Sequence, residues 1–232
     1  MKHKMKYKTK SNMDDSFDFS MIPSFNEHHR LLRKDITVSL YEYYLVGEIG
    51  EPENYIDLVD ALRSANPQDD FIIRIASGGG LLSTASMIMN AITESQANVH
   101  GYIESNAGSA ASLIFLACDN WSLSEDAELF VHTSSSGNFG KESETYEASV
   151  FYRKKIHKMM RNRYAGFLTE TEIDQVLKGA DFYFDADSIA ERLDKYSEYK
   201  QILMDIEMQE FEDELEATVD ETPPKKKKKL LT

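Results

Sequence analysis

The chain has 232 residues, is 41% hydrophobic and carries a formal net charge of −14, enough for one full core with length left for the ends. That charge argues against nucleic acid as the main partner, because phosphate binding needs a basic face. No window approaches the ~18 uninterrupted apolar residues of a membrane span. The basic stretch 1–10 lacks the apolar segment of a secretory signal, and the lone Cys118 rules out an intrachain disulfide, so a cytoplasmic setting is expected.

Residues 1–33 are polar and mixed and read as a flexible extension. From Ile36 the pattern becomes α/β. Residues 41–49 read as a strand. Residues 55–65 read as a helix, with Ile56, Leu58, Val59 and Leu62 at helical spacing. Asn66-Pro67-Gln68-Asp69 is a turn, and 71–75 a short apolar strand whose unbroken run suits a sheet buried on both faces. A helix over 82–93, a strand over 99–103, a helix over 109–119 and a strand over 128–132 follow. Strands alternating with helices predict right-handed crossovers and a mainly parallel sheet. A long helix is expected over 142–165. A second is expected after Thr169 with a capping box to Glu172, and a third capped near Asp187-Ser188. Residues 205–221 carry nine acidic side chains and no basic one, and Lys225 to Lys229 follow. This end, 201–232, reads as a solvated, partly disordered tail, with a nuclear address or an anionic docking site as the lesser reading of the lysine run. The domain itself is expected over 34–200.

Three features carry chemistry. Gly78-Gly79-Gly80 follows a buried strand and lets the backbone turn sharply or approach a ligand. No nucleotide-binding glycine pattern surrounds it, which leaves a tight turn or an oxyanion hole of backbone N–H groups. Gly108-Ser109-Ala110-Ala111-Ser112 lies between a strand and an apolar helix, where unpaired N–H groups and the helix dipole favour negative charge. By spacing alone Ser105, Ser109 and Ser112 are rival nucleophiles. His132 stands beyond a strand's C-terminal end, where α/β sites form. His3, His28 and His29 fall in the extension, His100 starts a strand, and His157 sits on a basic helix face.

Together these motifs resemble the Clp protease proteolytic subunit, ClpP, within the ClpP/crotonase fold family, from about Asp35 to Asp194. Residues 66–80 are similar to the stretch entering that family's Ser-Pro-Gly-Gly loop. Residues 108–112 are similar to its Gly-x-Ala-Ala-Ser motif, Phe130-Val131-His132 to the strand bearing its base, and 180–186 to the segment supplying its acid. The resemblance implies an α/β fold: a ClpP/crotonase-like ββα spiral with a mainly parallel sheet and a protruding helical handle at 142–165 and 169–179. It implies Ser112 as nucleophile, His132 as general base and Asp181 as the acid that orients it. Composition alone leaves Asp185, Asp187 and Asp194 as competitors for that last role. The backbone N–H groups of Gly79 or Gly80 and of Leu113 would form the oxyanion hole.

The implied function is a serine endopeptidase in a homo-oligomer, a heptameric ring or stacked rings. Its enclosed sites would cleave unfolded proteins or short peptides, fed by an AAA+ unfoldase, with no cofactor, metal, nucleic acid or membrane. A viral processing protease that matures a capsid, a catalytically silent scaffold and a crotonase-type enzyme are the alternatives. The chain departs from the family at Ala76-Ser77-Gly78, where Asn-Ser-Pro is usual, and at Thr133-Ser134, where Gln-Pro is usual. It also departs at Leu113, at Phe184 and at both ends.

Overall fold

A computed structural model of the chain describes residues 37–133 and 142–220. The extension at 1–33, the loop at 134–141 and the lysine run at 225–229 lie outside the described residues. Every element below belongs to one compact unit that begins at Val38.

Strand β1 (Leu40–Ile49) is followed by a short 3-10 turn and helix α1 (Ile56–Ser64), then by β2 (Asp70–Gly80). Helix α2 (Leu82–Glu94), β3 (Asn98–Gly108), α3 (Ala110–Ala117), β4 (Asn120–Leu123) and β5 (Glu128–Val131) complete the alternating part. Strands β1, β2 and β3 pair in parallel. β3 is long enough to serve two partners on one side. Its first half pairs with β4, His100 to Ile103 against Asn120 to Leu123, and its last residues pair with β5. After α4 (Glu142–Tyr164) and α5 (Glu170–Leu177), the three-residue β6 (Phe182–Phe184) returns antiparallel to β5, and α6 (Ala186–Asp220) closes the unit.

The core lies between the sheet and α1, α2 and α3. Phe71, Ile73, Ile75, Val99 and Ile103 face Leu62, Ile88, Ile114 and Phe115, all essentially without solvent exposure. Each buried side chain of this size contributes about 1.5–3 kcal/mol of transfer free energy. Helix α3 is apolar all round and buried over Ala110 to Leu116, as a helix needs to be to run through a core. Cys118, at its end, is buried, and burial pushes its thiol far above the ordinary range.

Four expectations are adjusted. The apolar run in β2 does not have both faces buried: its burial alternates. The second face carries Arg74, paired with Glu42 and Glu104 and lying over the Tyr102 ring. The alternation is that of a sheet packed on one side. The cap of α6 is Asp185, whose Oδ1 accepts the Ser188 N–H at 2.9 Å, so Asp187 falls inside the first turn. Helix α6 runs unbroken across residue 200 to Asp220, so the acidic segment continues that helix as far as Asp220. Finally, β3 extends five residues further than 99–103, to Gly108, which brings its end to the serine cluster. The capping box at Thr169 is present: Glu172 N–H reaches Thr169 Oγ1 at 3.2 Å, and Thr169 N–H reaches Glu172 Oε2 at 2.8 Å. Helix α4 is largely exposed and buries Met160 and Tyr164 near its C-terminal end, where Arg161 pairs with Glu170 and Asp174 of α5.

Candidate active site

The site forms where β3 ends and α3 begins. Ser109 occupies the single residue between them, with φ +52° and ψ −119°. It is the only non-glycine residue with positive φ among the described residues. A non-glycine side chain held there costs about 1–3 kcal/mol and persists where its surroundings fix it. The Ser109 N–H donates to the Phe130 carbonyl on β5 at 2.8 Å. This bond ties the turn to the strand that carries the histidine. A serine on such a sharp strand-to-helix turn projects its hydroxyl from the end of the sheet.

One residue beyond β5, His132 places Nε2 2.8 Å from Ser109 Oγ. Its ring stacks on Phe130, centroids 4.7 Å apart, and Phe130 stacks on Tyr183 of β6. Ser109 and His132 are both partly exposed. The geometry brings His132 to Ser109 and not to Ser112. Ser112 lies in the first turn of α3 with no exposure. Its hydroxyl donates to the Ser109 carbonyl at 2.7 Å and lies 2.7 Å from the Tyr164 hydroxyl. Ser105 is exposed on β3 and donates to Asn106 Oδ1.

The acid candidates also separate. The antiparallel register ends at Val131 paired with Phe182, the residues next to His132 and Asp181. Asp181 is exposed, and no hydrogen bond joins it to the imidazole among the described residues. Asp185 is taken up as the cap of α6, and Asp187 and Asp194 lie on exposed positions of that helix.

Of the two glycines expected as oxyanion donors, only Gly79 adjoins the serine turn. A Cβ on Gly79 would stand 2.7 Å from the Gly108 carbonyl oxygen, 2.8 Å from Ser109 Cβ and 3.0 Å from the Ala110 nitrogen. Only glycine permits that approach. Its N–H faces Ser77 Oγ at 3.1 Å. Gly80 instead presses on the backbone of Ile49 in β1, where a Cβ would come within 2.2 Å of a carbonyl oxygen. The Leu113 N–H points back to the Ser109 carbonyl at 3.4 Å inside α3. The N–H groups at the start of α3 without a helical acceptor are those of Ala110, its first residue, and Ala111.

Ala110 and Tyr164 are therefore the residues that the sequence reading passed over, and Ser109 is the rival that the motif set behind Ser112. A signal for Ser109 was present: a serine between a strand and an apolar helix holds the turn itself, whereas one three residues later is inside the helix. A cleft of about 430 Å³ opens beside the site, lined by Gly78, Gly108, Phe130, Tyr183 and Asp185 among others. Among the described residues no three His, Cys, Asp or Glu side chains are grouped to hold a metal ion. No helix there is long and apolar enough to cross a membrane.

Comparison with known proteins agrees with this architecture. No curated protein sequence matches the chain. Among solved structures, a single-substitution mutant of ClpP1 from Listeria monocytogenes superposes with a TM-score of 0.53 at 20% identity. The match covers 65% of this chain and 86% of that one and shows a shared fold. The family model described as Clp protease matches residues 46–191, a span that contains the glycine run, the serine turn, His132 and Asp181. By that match the chain belongs to the Clp protease family.

Proposed function

We propose that the chain is a serine endopeptidase with Ser109 as nucleophile, His132 as general base and Asp181 as the acid that orients the imidazole. The observation that carries this is the 2.8 Å contact between His132 Nε2 and a serine Oγ held at positive φ at a helix start. In the reaction Ser109 Oγ attacks the peptide carbonyl carbon while its proton passes to His132. The carbonyl oxygen becomes an oxyanion facing the N–H groups of Ala110 and Gly79. Protonated His132 then gives its proton to the leaving nitrogen as the C–N bond breaks, leaving an acyl-Ser109. Water, deprotonated by His132, hydrolyses that ester. A fixed N–H donor of this kind is worth about 3–4 kcal/mol in the transition state. For Gly79 the contribution requires its N–H to turn from Ser77 Oγ to the substrate oxygen.

The exposed apolar side chains of Val38, just before β1, of Leu40, Tyr44 and Val46 on β1, and of Tyr146, Phe151 and Tyr152 on α4 support assembly of several copies. A closed ring, an unfoldase feeding it, unfolded or short peptide substrates and a cytoplasmic location complete the reading. The paired Ser109 and His132 favour an active protease over a silent scaffold. The test is hydrolysis of a fluorogenic peptide library and labelling by a fluorophosphonate. Wild type is expected to react, and Ser109→Ala is not. Full labelling of Ser109→Ala would overturn the assignment.

A further inference from the structure

We infer that Ser112 and Tyr164 are positioning residues that orient the oxyanion donor, so that the base of the α4 handle is wired to the nucleophile turn. The inference rests on Ser109 as the nucleophile. Ser112 has a single hydroxyl proton, and it is directed to the Ser109 carbonyl at 2.7 Å. The Tyr164 hydroxyl, 2.7 Å from Ser112 Oγ, must then be the donor in that contact. The direction is fixed: Tyr164 O–H to Ser112 Oγ, Ser112 O–H to the Ser109 carbonyl. Both side chains are buried, Ser112 at 0% and Tyr164 at 1% exposure, so water does not compete for either proton. Burial raises the Tyr164 phenol well above its usual range, which keeps it a neutral donor.

The target of this chain is the Ser109 carbonyl, which also accepts the N–H groups of Ser112 and Leu113 at 3.1 and 3.4 Å. The peptide from Ser109 to Ala110 is planar, so its C=O and N–H point in opposite directions. Clamping the carbonyl into α3 therefore aims the Ala110 N–H outward, to the side where Ser109 Oγ meets substrate. The positive φ of Ser109 makes this plane prone to rotate without support. Tyr164 is the last residue of α4, 52 residues from Ser112 in sequence, so the position of the handle's base enters the aim of the donor. A misaimed donor weakens the transition state and leaves ground-state binding intact.

Steady-state hydrolysis of one short fluorogenic peptide separates the outcomes, with thermal unfolding recorded for every variant. Ser112→Ala is expected to lower kcat by about tenfold to hundredfold with KM within about twofold. Tyr164→Phe keeps the Ser112 bond to Ser109 and is expected to lower kcat by a smaller factor, about threefold to tenfold. Ser112→Thr, which restores the hydroxyl, is expected to recover part of the loss. Unchanged kcat in folded Ser112→Ala and Tyr164→Phe would overturn the inference, as would a loss that follows only the folded fraction. If Ser112→Ala does not fold, Tyr164→Phe alone decides by its kcat against its KM. Ser109→Ala separates the two levels. If it retains wild-type turnover, the nucleophile assignment fails and the inference fails with it. If it is inactive while Tyr164→Phe and Ser112→Ala equal wild type, only the positioning role fails.

Discussion

Gly79→Ala probes the closest approach in the site. The added Cβ would stand 2.7 Å from the Gly108 carbonyl oxygen and 2.8 Å from Ser109 Cβ. Ordinary contact begins near 3.4 Å, so the serine turn or β2 must retreat by about 0.7 Å. Alanine at φ +104° adds about 1–3 kcal/mol of backbone strain. Together these give a loss of about 2–4 kcal/mol, roughly 5–12 °C in melting temperature for a domain of this size. A shift of that size at the reacting atoms costs about 10²-fold in acylation rate. Gly179 is the control. It has the same φ of +104°, but nothing lies within 4 Å of its Cβ position, so Gly179→Ala carries strain alone. The assay is thermal unfolding together with the second-order rate of fluorophosphonate labelling for both variants. Gly79→Ala is expected to lose more stability and about a hundredfold more labelling rate than Gly179→Ala. Equal behaviour of the two variants would refute the packing of Gly79 against the serine turn.

Other consequences follow from single contacts. Asp181→Asn is expected to lower kcat by about 10²-fold or more while leaving the melting temperature within a few degrees, measured by peptide hydrolysis and thermal unfolding. Arg192, bonded to Glu172 Oε1 at 2.6 Å, holds that carboxyl down at about 2. A depressed carboxyl stabilises the fold above its ordinary value of 4.5, and that stability is lost as pH falls toward 2. Urea unfolding of wild type and Glu172→Gln is expected to differ by about 1–2 kcal/mol at pH 6, after allowance for solvent screening, with the gap closing between pH 4.5 and 2. Cys118, buried and with its thiol pushed up, is expected to react with a thiol reagent only at the rate of unfolding, as read by mass shift against denaturant.

Helix and strand periodicity made most elements readable, because α1, α2 and the early strands bury one face against a single core. Strand β6 was not readable: three residues, Phe182–Phe184, gain strand geometry from pairing with β5, a partner distant in sequence. The acidic part of α6 carries a disorder-like composition, yet it stays helical. There, Gln201 donates to Asp205 and Gln209 to Asp213 across one turn. His132 and Asp181 are both legible from the motifs, and each directly follows or precedes the last pair of the β5–β6 register, Val131 with Phe182. The serine that meets the histidine was not singled out. Two serines flank Ala110-Ala111, and the motif's lettering favours Ser112, but the helix begins at Ala110. A three-residue offset on a helix is nearly a full turn. It carries Ser112 into the core, to Tyr164, and leaves Ser109 on the turn with His132. In the proposed mechanism the oxyanion donor shifts for the same reason, from Leu113 to Ala110.

Whether Ser109 or Ser112 is the nucleophile is decided by locating the adduct of a fluorophosphonate on the wild-type chain by fragmentation mass spectrometry. The added mass is expected on Ser109, with no modification of Ser112 and no labelling of Ser109→Ala. An adduct on Ser112 would contradict the pairing of His132 with Ser109 as the reacting couple.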